Sequence, residues 1–193
     1  MLHNKHFQII EQLTGNYEQE IYGRELIGKV SMSQKGIALA LKELEEQSIL
    51  KSKKKGSMKF YSLNLNYPHV KEIISITETM KKIEFLSKNR KIAHIFKDDS
   101  RIVGIFGSYA KKTHKPESDI DVFIVGKKQK QDYDTKGKAF DLNISIKYFT
   151  QEEFKHLLDE KNNLLKEIVK NHIIVFGIEE FINIIRSSYY GFN

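Results

Sequence analysis

The chain has 193 residues, 40% of them apolar, which is enough for a buried core in one large domain or two small ones. It has no cysteine, which excludes a disulfide framework and any thiolate metal site. No apolar run approaches the ~20 residues that span a bilayer, and the opening Met1-Leu2-His3-Asn4-Lys5-His6 has no apolar signal core. A soluble cytoplasmic protein with no membrane partner is expected, and its formal net charge of +7 favours polyanionic partners, nucleotide or nucleic acid, wherever the lysines cluster.

Residues 3–14 carry Phe7, Ile10 and Leu13 at helical spacing, and Gly15-Asn16 ends that run. A second short helix is expected over residues 22–30, with Leu26 and Ile27 facing inward. Ser31-Met32-Ser33 offers capping hydroxyls for a third helix, which buries Ile37, Leu41 and Leu44 and leaves Ser33, Gln34 and Lys35 open near its start. Two strand-like segments then flank Lys54-Lys55-Gly56-Ser57, the pattern of a β-hairpin with a basic rim. Three helices followed by such a hairpin resemble a winged helix-turn-helix, and A-L-K-E-L-E-E-Q-S-I-L-K-S-K-K-K-G-S-M-K-F-Y-S-L is similar to the recognition-helix-plus-wing segment of prokaryotic regulators. The resemblance implies binding of duplex DNA. Ser33, Gln34 and Lys35 would enter the major groove, and Lys53, Lys54, Lys55 and Lys59 would meet phosphates. The alternative is a winged-helix scaffold used for protein contact.

Residues 66–99 read as a helical connector. Pro68 marks its start, and Val70, Ile73, Ile74, Thr77, Met80 and Ile83 follow a helical rhythm. Such a stripe serves as core or as the seam of a homodimer.

Beyond the connector, Ile102-Val103-Gly104-Ile105-Phe106 is an apolar strand that Gly107-Ser108 breaks with a tight turn. A polar loop containing Pro116 leads to a second strand over residues 119–125. Side chains alternate along a strand, so Asp119 and Asp121 share one face while Ile120, Val122 and Ile124 take the other. Two adjacent carboxylates repel unless a cation lies between them. Magnesium suits that position because it takes oxygen ligands and shares itself with substrate phosphates. The turn's N–H groups and hydroxyl are suited to grip those phosphates.

This pattern, Gly107, Ser108 and Ala110 followed by Ser118-Asp119-Ile120-Asp121, resembles the signature of the DNA polymerase β-like nucleotidyltransferase superfamily, closest to its minimal members fused to winged helices in archaea and other prokaryotes. The resemblance implies magnesium-dependent transfer of an NMP group from an NTP, ATP being the expected one, to an acceptor hydroxyl. It implies nucleotide contacts from Gly107, Ser108, Lys111 and Ser118, and metal ligation by Asp119 and Asp121. Many relatives have glycine where this chain has Lys112. Relatives also bring a third carboxylate from a later strand. Asp141 is the acidic residue of that segment, so the catalytic and metal-ligating role falls to it. A solvated Asp141 at the strand's mouth, with Asn143 or Ser145 facing the metals, stays open.

Residues 126–138 read as an exposed, mobile connection, and residues 139–149 as a strand with a polar face. Thr150-Gln151-Glu152-Glu153 has the form of a capping box. Helices follow, then the strand Ile173-Ile174-Val175-Phe176 and a last helix. K-N-H-I-I-V-F-G is also similar to the tail of minimal nucleotidyltransferases, with His172 structural. His114 falls in the loop between Gly107-Ser108 and the aspartates, as an exposed loop residue or in contact with substrate. The expected architecture is α+β: a winged helix-turn-helix over residues 1–65, a helical connector over 66–99, and a small mixed-sheet nucleotidyltransferase domain over 100–193 with helices on one side. The rival function is a DNA-binding transcriptional regulator whose nucleotidyltransferase-like domain binds nucleotide without turnover.

Overall fold

The computed structural model describes residues 2–129 and 132–189. The chain divides into two compact units, residues 1–77 and 78–193, so the division falls inside a helix.

The N-terminal unit begins with α1 (Asn4–Thr14), which buries Ile9, Ile10 and Leu13. The expected second helix is absent. In its place stand a two-residue strand β1 (Ile21–Tyr22) and a single 3-10 turn (Gly23–Leu26). The backbone bonds of Ile21 and Tyr22 go to the later hairpin rather than to a helix, and Gly28 at φ +79° bars continuation of the turn. Helix α2 (Gln34–Glu46) starts at Ser33, whose side chain accepts from the Gly36 N–H, and it buries Ile37, Ala40, Leu41 and Leu44. Strands β2 (Leu50–Lys55) and β3 (Met58–Leu63) form the hairpin, and β1 pairs with β3 to complete an antiparallel three-stranded sheet in the order β1-β3-β2. Helix α3 (Val70–Lys88) follows and carries the chain into the second unit.

That unit continues with α4 (Arg90–Ile95), β4 (Ile102–Phe106), α5 (Gly107–Ala110), β5 (Ile120–Val125), α6 (Tyr133–Lys138) and β6 (Ile144–Phe149). Helices α7 (Gln151–Asp159) and α8 (Asn163–Lys170), strand β7 (Ile173–Phe176) and α9 (Ile178–Tyr189) complete it. The sheet order is β6-β5-β4-β7, with β5 and β6 parallel and the other pairs antiparallel. Every residue of β4 is buried, so both faces of the sheet are covered. Val103, Ile105, Ile120, Val122 and Ile124 join Phe85, Ile92 and Ile95 on one face. On the other, Phe123 meets Phe154 of α7 and Phe181 of α9, each with ring centroids 5.9 Å apart. Helices on one side only is therefore corrected, and the hydrophobic character of Phe123 between Asp121 and Val125 is the physical reason.

The segment after β5 also departs from the exposed connection expected of it, although residues 130 and 131 of that stretch lie outside the described residues. Asp132 and Tyr133 are buried, and Asp132 caps α6 by accepting from the Tyr133 N–H. The reason is Arg101, whose guanidinium donates to both carboxylates of Asp99 and Asp132 at 2.6–3.2 Å. Tyr133 donates to Asp99 at 2.6 Å and Tyr148 to Asp132 at 2.8 Å. Burial opposes ionisation of Asp99, but its bonds from Arg101 and Tyr133 more than offset that and hold it at about 2.

A second buried ionic group lies on α3. Glu78 is 1% exposed and sits 2.9 Å from Lys81 and 3.4 Å from His172, itself buried, which confirms the structural reading of that histidine. Burial works against the Glu78 charge, yet Lys81 and His172 outweigh it and bring the carboxyl to about 2 from an ordinary 4.5. A lowered folded value makes the contribution full above the ordinary value and lost as pH falls through the folded one. Stability measured by urea unfolding should therefore drop between about pH 5 and pH 2, and Glu78→Gln should make that slope shallower while lowering stability at neutral pH.

Candidate active site

The site forms where β4 ends and β5 begins. Phe106 pairs with Asp121 across the two strands. Gly107 follows with φ +67°, a left-handed conformation that turns the chain sharply into the single turn of α5. A Cβ at Gly107 would collide with the Asp121 carboxylate, so only glycine lets this turn pack directly on that group. The tight turn expected from Gly107-Ser108 thus lies against one of the two aspartates.

Asp119 is the last residue before β5 and is exposed, while Asp121 is half-buried on the strand. Burial, then the neighbouring charge of Asp119, push the Asp121 carboxyl up, with Lys147 opposing in part. The two aspartates therefore act on each other, as carboxylates do when no cation separates them. A pair of repelling carboxylates with one half-desolvated member is a donor set that fits a hard divalent cation shared with a phosphate.

Asp141 does not join them. It is exposed in a left-handed turn at φ +55°, three residues ahead of β6. The strand expected to begin near residue 139 begins at Ile144, because the chain around Gly137 folds back on itself, with Leu142 N–H donating to the Gly137 carbonyl at 3.1 Å. In the parallel β5–β6 register Ser145 stands opposite Asp121 and Lys147 opposite Phe123, and the Asn143 carbonyl accepts from the Ile120 N–H at 2.8 Å. Among the described residues, no three His, Cys, Asp or Glu side chains gather to hold a metal. Beside the two aspartates the sheet therefore sets Ser145 and Lys147 on the Asp121 face. Lys147 was missed by sequence reasoning, although the period of two along β6 puts it on the same face as Ser145.

The remaining expected contacts already have partners. Lys111 forms an ion pair with Glu167 at 2.6 Å. The Ser118 hydroxyl accepts from the Lys115 N–H at 2.9 Å, closing the turn that leads to Asp119. Lys112 adopts φ +60°, so the backbone conformation that glycine takes most easily is kept here by a lysine. His114 is exposed and stacks on Tyr109 at 4.0 Å.

In the N-terminal unit Ser33, Gln34 and Lys35 are exposed at the start of α2, with Ser33 engaged as its cap. Lys53, Lys54, Lys55 and Lys59 are exposed on the hairpin. Lys55 is ion-paired to Glu20, and Lys59 to Glu45 at 2.6 Å, which raises the Lys59 ammonium above its ordinary value. Part of the basic rim is therefore neutralised within its own unit.

Residues 90–181 match the family model described as Polymerase beta, Nucleotidyltransferase. No curated protein and no solved structure matches the chain. The family match covers just under half the sequence and supports a polymerase β-like nucleotidyltransferase domain there, with nucleotidyl transfer as its general chemistry and a nucleotide as substrate. No described helix is long and apolar enough to cross a membrane. The coupling of the two aspartates is directly measurable. Asp119→Asn should lower the Asp121 pKa towards its ordinary value in a carboxyl NMR titration, and an unchanged value would mean that the two charges do not interact.

Proposed function

We propose that the C-terminal unit binds an NTP, with ATP the foremost case, and moves its NMP group to an acceptor hydroxyl. The observation that carries this reading is the Gly107 turn packed on the Asp121 carboxylate with Asp119 beside it. Asp119 and Asp121 would hold magnesium, which when bound supplies positive charge to the triphosphate. The N–H groups of the turn and the Ser108 hydroxyl orient the phosphates. Lys111 joins them once it leaves Glu167. Ser118 serves by holding the turn that presents Asp119. The acceptor oxygen bonds to the α-phosphorus, the bond to the bridging oxygen breaks, and pyrophosphate leaves. The acceptor's proton passes to solvent.

A second reading draws on the same residues. Ser145 opposite Asp121, with Lys147 further along that face, favours nucleotide binding without turnover. In that case the chain is a DNA-binding regulator that senses nucleotide. Both readings assign duplex DNA to the N-terminal unit, with Gln34 and Lys35 of α2 in a groove, Ser33 capping the helix at the backbone, and the hairpin lysines on phosphates. Lys53 and Lys54 contribute most there, because Lys55 and Lys59 must first leave their carboxylates.

Incubation with labelled NTP and magnesium separates the two readings by release of pyrophosphate. Transfer should fall at least ~100-fold in Asp119→Asn and Asp121→Asn while the fold is kept, and full activity in either variant would overturn the assignment. A rise in melting temperature with ATP and magnesium but no pyrophosphate would support the sensor. Duplex DNA binding should weaken steeply with salt, and Lys53→Ala/Lys54→Ala should reduce the salt slope by about 2. An unaltered slope would remove the hairpin from the interface.

A further inference from the structure

A cavity of about 590 Å3 opens in the C-terminal unit between the start of α4, the loop after α5 and the approach to β6. Its buried or half-buried walls include Ile92, Tyr109 and Leu142, and its exposed ones include His114, Arg90 and Lys91. The volume falls within the ~300–1,000 Å3 usual for small-molecule sites. Ile92 and Tyr109 belong to the core on the Ile120 face of the sheet, the face opposite Asp121. The cavity is therefore distinct from the carboxylate site. It lies at the same end of the sheet, since Tyr109 follows Ser108 and Leu142 precedes the residue whose carbonyl binds the Ile120 N–H.

Two features point to a ligand. Tyr109 and His114 are stacked at 4.0 Å with their planes 9° apart, and Tyr109 is buried while His114 is exposed. The outer imidazole face thus continues a ring stack into the cavity mouth, where a further planar ring gains the stacking that aromatic platforms give bases. Arg90 and Lys91 supply positive charge beside that platform. Lys91 donates to the Phe140 carbonyl at 3.4 Å, and neither cation has an ion-pair partner among the described residues. Neighbouring Lys88, in contrast, is paired with Glu84 at 2.6 Å. A flat ring with an anionic group nearby is what this combination recognises.

We propose that the cavity is a second nucleotide-binding site, taking a base against His114 and a phosphate at Arg90 and Lys91. The nucleotide is either a free mononucleotide or the end of a single-stranded nucleic acid, which present the same chemistry. The proposal does not depend on turnover at the carboxylates. Short single-stranded RNA carrying 4-thiouridine at its 3′ end, and separately 4-thio-UMP, are photocrosslinked to the full chain, and the adducts are mapped by mass spectrometry. Adducts are expected within residues 87–92 and 109–116. They should fall about tenfold in Arg90→Glu/Lys91→Glu, and also in His114→Ala, which leaves the charges in place. Crosslinking of the RNA but not the mononucleotide assigns a strand end, and comparable crosslinking of both assigns a free nucleotide. Asp119→Asn should leave the adducts unchanged whether or not it abolishes transfer. The rise in melting temperature with ATP and magnesium should survive the Arg90/Lys91 exchange. Adducts confined to the hairpin, adducts insensitive to both Arg90→Glu/Lys91→Glu and His114→Ala, or loss of the ATP shift in the Arg90/Lys91 variant would each overturn the proposal.

Discussion

Arg101 is the residue on which the geometry of the C-terminal unit depends. Its guanidinium is 8% exposed and binds two carboxylates that are 4% exposed. Through them it ties the start of β4 to the segment entering α6, and through Tyr148 to β6. Charges so far from water are tolerable only in full mutual satisfaction, and removing one partner of such a group costs about 3–5 kcal/mol. The cluster lies at the Ile102 and Val125 end of the sheet. Fixing that end fixes the register of β4, β5 and β6, and the register decides what meets at the other end. Phe106, Asp121 and Ser145 are level there because the strands are held together at the opposite end.

Much of this was legible in the sequence, and the parts that were not share a cause. The S-D-I-D phrase and the apolar residues around it specified β5, and the Gly107-Ser108 break specified the turn, because each signal is local. Ser33 as a cap, the hairpin around Gly56 and the Thr150–Glu153 capping box were read for the same reason. The 3-10 turn in place of a second helix escaped because its residues Gly23-Arg24-Glu25-Leu26 are equally compatible with a helix, and pairing of Ile21 with Tyr61 decides the matter forty residues away. Asp132 and Tyr133 look like loop residues until Arg101 is known to approach them. Asp141 stands out in the sequence as the acidic residue near the strand where the resemblance implies a third carboxylate, whereas its position depends on where pairing with β5 begins. Pairing is a long-range property that a strand's own residues state only in outline.

The site is economical in negative charge. Two aspartates stand where three acidic groups were expected, and a lysine on the same face of β6 lowers the local field further. On the proposed reading, two carboxylates would hold less cationic charge than three, which would favour a single magnesium nucleotide over tight assembly of two metals. What stands opposite Asp121 is set by the register between β5 and β6 rather than by the S-D-I-D phrase.

The ion pair between Lys111 and Glu167 has a consequence for selectivity. On the proposed reading, a polyphosphate arriving at the turn would meet a lysine already paired with Glu167, and its association there would exchange one anion for another. Weakly charged visitors such as inorganic phosphate or a monophosphate gain little from that exchange, while a triphosphate gains more from several contacts at once. On that reading helix α8, which carries Glu167, would set a threshold on what the loop retains.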